Sequence, residues 1–173
     1  MTALHAPQNK RRLPRMTPTD EFFTAAKALL GERGWRMDQD SLETVSTPWR
    51  GTYQGHTPFL ALPDSTQAVA DLVKLCAAHR VAITPQGGNT GLVDAGTPHG
   101  EITLSLRRMQ NVRAIDPFNN SLTIEAGAPL VTAQTEADKA NRLFPLSLGA
   151  EGTATIGGLI STNAGGVAVL RYG

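Results

Sequence analysis

Apolar positions along this chain switch between a helical and a strand period, and the switches mark out the expected elements. Phe22, Ala25, Ala26, Leu29 and Leu30 recur at i, i+3, i+4, i+7 and i+8, one face of a helix. Thr17 and Pro18 stand ahead of it as N-cap and first helical residue. Asp20 and Glu21 fill the first turn, and Gly34 is placed to stop it. Residues 40–54 are polar and lack a period, so an irregular lead-in is expected there, with Trp49 and Tyr53 as packing residues. Residues 59–62 read as a short strand ended by Pro63. Asp64 and Gln67 then form a capping pattern for a helix that carries Val69, Leu72, Val73, Cys76 and Ala77. Residues 81–84 are the next strand, and the strand–helix–strand order implies that the two strands are parallel. Residues 101–106 alternate, with Ile102, Leu104 and Leu106 inward and polar residues outward. Residues 112–115 and 122–126 form a strand pair joined by the turn 116–120. Ala128 and Pro129 open a helix bearing Leu130, Val131, Ala133, Gln134, Ala137 and Ala140 and ending near Asn141.

Two glycine stretches interrupt these periods. Pro85-Gln86-Gly87-Gly88-Asn89-Thr90-Gly91-Leu92 follows the strand at 81–84. Its glycines remove the Cβ atoms that would hold a ligand off the backbone. They also permit positive φ, so successive N–H groups can line one concavity, and Asn89 and Thr90 add side-chain donors. Such a nest suits a diphosphate, and the same residues also suit an ordinary glycine turn. The second stretch, residues 145–166, pairs Gly157 with Gly158 and Gly165 with Gly166 among small hydroxylated residues. A solvated linker would carry more charge and fewer residues such as Leu146, Leu148, Ile156, Leu159 and Ile160. Backbone packed close against something flat and large is the expectation.

Composition narrows the function classes. The 173 residues make one domain's worth of chain. The net charge of +1 hides an asymmetry, because Lys10, Arg11, Arg12 and Arg15 precede the first acidic residue. The remaining 12 basic and 15 acidic residues leave the body at −3. No basic stripe with interleaved aromatics appears, so nucleic-acid binding is not expected. Residues 1–16 are expected to be a disordered basic extension: they lack the apolar core of a secretory signal and the amphipathic pattern of a mitochondrial presequence. Cys76 is the single cysteine, which excludes an intramolecular disulfide and points to a reducing compartment, cytoplasmic or mitochondrial matrix. No apolar run approaches a membrane span of roughly 18 residues. G-x-x-x-x-G-K-[ST] and G-x-G-x-x-G are both absent, as is G-x-S-x-G. His5, His56, His79 and His99 lack metal-ligand spacing, and no carboxylate pair is singled out for acid–base work.

Taken together, residues 85–92, 144–152, 156–158 and 162–166, followed by Arg171-Tyr172-Gly173, resemble the FAD-binding domain of the vanillyl-alcohol oxidase/p-cresol methylhydroxylase (PCMH) family. The similarity is greatest to its D-2-hydroxyacid dehydrogenase branch and runs from about Trp49 onward. The resemblance implies an α+β, two-subdomain PCMH-type fold that is incomplete at the C-terminus. Residues 17–54 would form an N-terminal helix and lead-in, and residues 55–173 the first part of the flavin domain. It implies that Pro85, Gln86, Gly87, Gly88, Asn89, Thr90, Gly91 and Leu92 cradle the FAD pyrophosphate. Pro145, Leu148, Gly149, Ala150, Gly152, Thr153, Ile156, Gly157 and Gly158 would run along the ring and ribityl portion, and Thr162, Asn163, Gly165 and Gly166 would continue that wall. Many family members carry a flavin-linking histidine in the first loop, where this chain has Asn89 and Thr90, so non-covalent FAD is expected. The implied reaction is oxidation of a D-2-hydroxy acid of the D-lactate, glycolate or D-2-hydroxyglutarate type, with a quinone, cytochrome or electron-transfer flavoprotein as separate acceptor. No catalytic residue is assigned, since the resembled enzymes hold the base and the carboxylate ligands beyond this stretch. This chain alone is expected to be inactive, with Leu159, Ile160, Val167, Val169 and Leu170 exposed. A flavin-binding piece without turnover, or a non-enzymatic module of the same fold, are the alternatives.

Overall fold

The computed structural model describes residues 17–51 and 53–172, so the expectation for residues 1–16 lies outside the described residues. Helix α1 spans Asp20–Leu30. Its N-cap is Thr19, whose hydroxyl accepts the Phe22 N–H, and Gly31 at φ 67° ends it. Both caps thus differ from the expected Thr17 and Gly34: Thr19 is the hydroxyl in reach of the third helical N–H, and Gly31 is the first residue free to turn left-handed. Helix α2, Gln39–Ser46, replaces the expected irregular lead-in. Asp38 caps it by accepting the Ser41 N–H at 2.9 Å, and Leu42 and Val45 give it one apolar edge. Trp49 is not a packing residue, being 65% exposed in the turn that follows α2, and Tyr53 is also exposed.

A four-stranded sheet has the order β1-β2-β4-β3, where β1 is Trp35–Arg36, β2 Leu60–Ala61, β3 Ile83–Gln86 and β4 Ile102–Ser105. Strand β1 is antiparallel to β2, while β2 and β3 each pair parallel to β4. The strands flanking helix α3, Thr66–His79, are therefore parallel as expected, but β4 lies between them. Ser65, not Asp64, caps α3 by accepting the Ala68 N–H at 3.2 Å; Asp64 instead pairs with Arg108 at 2.9 Å. Strand periodicity places the two faces of the sheet. Phe59 and Ala61 join Phe22, Ala26, Leu72, Cys76, Ile102 and Leu104 in a core under α1 and α3, and Leu60 and Leu62 pack with Val45 of α2. Fully buried Phe22 contributes about 1.5–3 kcal/mol to that core. Because the sheet is covered on both faces, Thr103 and Ser105 of inner strand β4 are buried, not solvent-facing as the alternation suggested. Burial raises the Cys76 thiol pKa to about 11, so this cysteine acts as a small apolar residue.

A second core follows in the chain. Strands β5, Val112–Asp116, and β6, Ser121–Ile124, form an antiparallel hairpin whose turn is held by Asp116 accepting the Phe118 and Asn119 N–H groups. Helix α4, Leu130–Lys139, brings Leu130 and Ala133 against Ala154, Ile156 and Leu159, with Ile156 and Leu159 on helix α5, Ile156–Ser161. Leu159 is thus buried, contrary to expectation, while Ile160, Val167, Val169 and Leu170 are exposed. The last two lie on the short helix α6, Val169–Tyr172. Two packed cores of helix and sheet make the fold α+β with two subdomains.

Glu125 anchors Arg113, the hairpin residue that reaches the first core. Its buried carboxylate accepts from the Asn111 N–H at 2.9 Å and from Arg113 at 3.0 Å, and Arg113 also reaches Thr66 at the start of α3. The Asn111 N–H first, then Arg113, hold the Glu125 pKa below its ordinary value. A lowered folded-state pKa stabilises fully above the unfolded value and loses that contribution as pH falls through the folded one. The melting-temperature gap between the parent and Glu125→Gln should be largest at neutral pH and shrink below about pH 4. A gap that does not change with pH would contradict this assignment.

Candidate cofactor-binding site

Residues 85–92 leave the C-terminal end of β3, at the edge of the sheet beside β4. Pro85 is still paired in the strand, and Gln86 is buried. The Gln86 side-chain nitrogen donates to Val45 O at 2.8 Å and to Gly96 O at 3.0 Å, while Asn89 Nδ2 donates to Thr47 O at 3.0 Å. Gln86 thus spends both of its N–H donors within the protein, and Asn89, one of the two side-chain donors expected of this loop, spends one of its two. Among the described residues, none accepts a hydrogen bond from the backbone N–H groups of residues 87–91. A run of unspent backbone donors is one requirement of an anion-binding nest.

The left-handed residue of this loop is Asn89, at φ 53°; its glycines are not at positive φ. Asparagine tolerates that conformation, so glycine is needed here for another reason. A Cβ on Gly88 would stand 1.8 Å from Thr153 O, and one on Gly87 would stand 2.1 Å from Thr155 Oγ1. The first glycine stretch is thus pressed, backbone to backbone, on the second. Thr155 Oγ1 is buried at this seam with no hydrogen-bond partner.

The second stretch is held from behind. Leu130 N–H donates to Ala154 O, Val131 N–H to Glu151 O, and Ile156 N–H to Ala128 O, which fixes residues 151–156 on the start of α4. The Glu151 carboxylate accepts the Leu148 N–H at 3.2 Å and closes the loop 148–151. Ser147 first, then Gln134, then the Leu148 N–H hold its pKa below the usual value. Leu148 and Ala150 lean on the second core, and Ile156 lies within it. Gly157 abuts Ala126, and a Cβ on Gly158 would stand 3.3 Å from Thr155 Oγ1. At Gly149 and Gly152 a Cβ would meet nothing within 4 Å, and Thr153 is exposed beside them. Gly166, at φ 65°, turns the chain so that Val167 N–H reaches Ser147 O at 2.9 Å. Gly165 lies under Val169, while Thr162 and Asn163 are exposed at the end of α5, the Thr162 hydroxyl bonded to Gly158 O. The structure therefore joins residues 87–88 to 153–155 and residues 166–167 to 146–147. Among the described residues, no hydrogen bond joins Thr162 or Asn163 to the first loop, where Thr90, Gly91 and Leu92 remain accessible.

These features fit a large planar dinucleotide. Unspent amides suit its diphosphate, the glycines at 149 and 152 leave room beside the backbone, and few side chains carry charge along either stretch. A concavity of about 450 Å³ beside Pro145, Phe144, Leu146 and Ala168 adjoins the second stretch. Another, of about 380 Å³ near His56 and His99, lies apart from both. Val45 and Thr47, as partners of the loop, escaped the sequence reading because they sit in the segment taken as irregular. The Asp38 cap with Leu42 and Val45 at i, i+3 spacing was the signal for it.

The seam makes contrasting predictions. Gly88→Ala should lower stability by about 1–3 kcal/mol, because the backbone contact cannot yield to a flexible side chain. Gly91→Ala, whose Cβ would meet only Val93 O at 3.9 Å, should stay within about 0.5 kcal/mol of the parent. Urea midpoints measure both, and equal stability of the two variants would contradict the seam.

Comparison with known proteins agrees with this geometry. A family model described as FAD binding domain matches residues 57–173. A probable D-2-hydroxyglutarate dehydrogenase, mitochondrial, of Oryza sativa subsp. indica is 40% identical over 85% of this chain and 26% of its own length. The D-2-hydroxyglutarate dehydrogenase, mitochondrial, of Danio rerio is 39% identical over 94% of this chain and 30% of its own length. The chain thus spans less than a third of these curated relatives. Among solved structures, an alkyldihydroxyacetonephosphate synthase superposes with TM-score 0.82 at 22% identity, covering 94% of this chain and 32% of that one. A p-cresol methylhydroxylase with substrate bound superposes with TM-score 0.65 at 22% identity, covering 82% and 30%. These two show the PCMH-type fold. No helix among the described residues is long and apolar enough to cross a membrane. With its two glycine stretches meeting at one seam and the family model matching from residue 57 onward, the chain belongs to the FAD-binding domain family.

Proposed function

We propose that this chain is the FAD-binding part of a flavin-dependent dehydrogenase that oxidises a D-2-hydroxy acid, of the D-2-hydroxyglutarate, D-lactate or glycolate type, to the 2-oxo acid. The observation that carries this reading is the seam between residues 87–88 and 153–155, which places unspent amides next to an open, glycine-lined backbone. The 38–40% identity to relatives named for D-2-hydroxyglutarate supports the substrate class. When bound, the flavin supplies the two-electron acceptor for the hydride lost from C2. This chain's residues hold it: residues 86–92 at the pyrophosphate, residues 145, 148–150, 152–153 and 156–158 along ring and ribityl, and Thr162, Asn163, Gly165 and Gly166 beyond them. The functional boundary falls near residue 55, with residues 17–54 ahead of it.

FAD is held non-covalently in this reading, since residues 85–92 contain no histidine. Electrons leave to a separate quinone, cytochrome or electron-transfer flavoprotein, in the cytoplasm or, in a eukaryotic host, the mitochondrial matrix. Several relatives are named mitochondrial. A flavin-retaining piece without turnover is the second reading, favoured by coverage of only 26–30% of the relatives' length. Purified protein should show a flavin absorption spectrum, and acid precipitation should leave the yellow colour in the supernatant. Colour retained by the pellet would contradict non-covalent binding, and protein that takes up no FAD would overturn the cofactor assignment. Dye reduction by D-2-hydroxyglutarate or D-lactate, tested with the full-length chain, separates the two readings.

A further inference from the structure

The loop that carries the unspent amides is not held by its own domain alone. Helix α2 ends with carbonyls that have no partner within the helix, as every helix does. Glu43 O takes the Thr47 N–H at 3.1 Å, and Ser46 O takes the Gly55 N–H at 3.0 Å. The next two acceptors are closed by side chains of the glycine loop: Val45 O by Gln86 Nε2 at 2.8 Å, and Thr47 O by Asn89 Nδ2 at 3.0 Å. Gln86 Nε2 also reaches Gly96 O at 3.0 Å, on the far side of the loop, so one buried amide ties both ends of residues 87–95 to α2. Asn89 combines this bond with the loop's left-handed turn, a conformation that asparagine and glycine accept and most residues resist.

We propose that the C-terminal end of α2 is a working part of the cofactor site, and that Gln86 and Asn89 are its positioning residues. They act through the protein and not by side-chain contact with the ligand. This rests on the FAD reading above and extends the site to residues 43–47, ahead of the matched domain, which begins at residue 57. The physical logic is reciprocal. The two amides cap carbonyls whose partial negative charge would otherwise stand uncompensated beside a loop suited to a diphosphate. The carbonyls in turn fix the loop, so that its N–H groups are pre-ordered and binding does not have to order them.

Asn89→Gly tests this, because glycine accepts the positive φ while the side-chain amide is lost. In the full-length chain stripped of flavin, its affinity for added FAD should fall about tenfold, the loss of one ordinary hydrogen bond. Amide hydrogen exchange of residues 45–47 in the flavin-free protein should speed up at the same time. Gln86→Met, similar in volume, should weaken FAD binding in the same direction, and circular dichroism would establish that each variant is folded. FAD affinity unchanged in folded Asn89→Gly would overturn the proposal. So would a loss of affinity with exchange at 45–47 unaltered, which would make Asn89 a direct ligand contact. Failure of the parent itself to bind FAD would instead sink the cofactor reading, so the two failures are distinguishable.

Discussion

Backbone-to-backbone contact between Gly88 and Thr153 is the constraint on which the rest of the site depends. The two glycine stretches belong to different cores: one leaves strand β3 of the four-stranded sheet, the other is fixed on α4 of the second core. Only the absence of a Cβ at residues 87 and 88 lets them meet. Packed interiors do not deform by the distance that a methyl group would need, so the contact is either made by glycine or lost. A surface built from both stretches exists because the two cores are locked in register there.

Further ties keep that register. Arg113 of the hairpin, held by Glu125, reaches Thr66 at the start of α3, and Arg108 bonds Leu62 O and Asp64. On the other side of the sheet, α2 packs Val45 on Leu60 and Leu62 and offers its last carbonyls to Gln86 and Asn89. Each tie pairs a charged or amide group with a carbonyl, hydroxyl or carboxylate that folding would otherwise leave unsatisfied. The first glycine loop thus inherits its shape from the elements behind it. Its own residues are free to present amides.

Much of this was legible in the chain. Helical periods placed α1, α3 and α4, because each has one apolar stripe wide enough to read. The turn at 116–120 and the glycine loop after β3 followed from residue chemistry. What escaped reading was set by tertiary context. Helix α2 is short, and its apolar edge amounts to Leu42 and Val45. The burial of Thr103 and Ser105 depends on β4 lying inside the sheet, which local alternation cannot encode. Positive φ in the loop falls on Asn89 and not on Gly87 or Gly88, whose missing Cβ atoms make room for Thr155 and Thr153, a contact that only the folded chain reveals. Leu159 is buried by packing with Leu130 and Ala133 of α4, a tertiary contact that the local pattern does not encode.

The most direct test of the account is amide hydrogen exchange of the protein with and without FAD, resolved over residues 85–92 and 145–158. Without FAD, residues 87–91 should exchange fast, since their N–H groups have no partner among the described residues. With FAD, they should become protected together with residues 149–153, as one surface. Protection confined to one of the two stretches, or to the concavity near His56 and His99, would contradict a single cofactor face built across the seam.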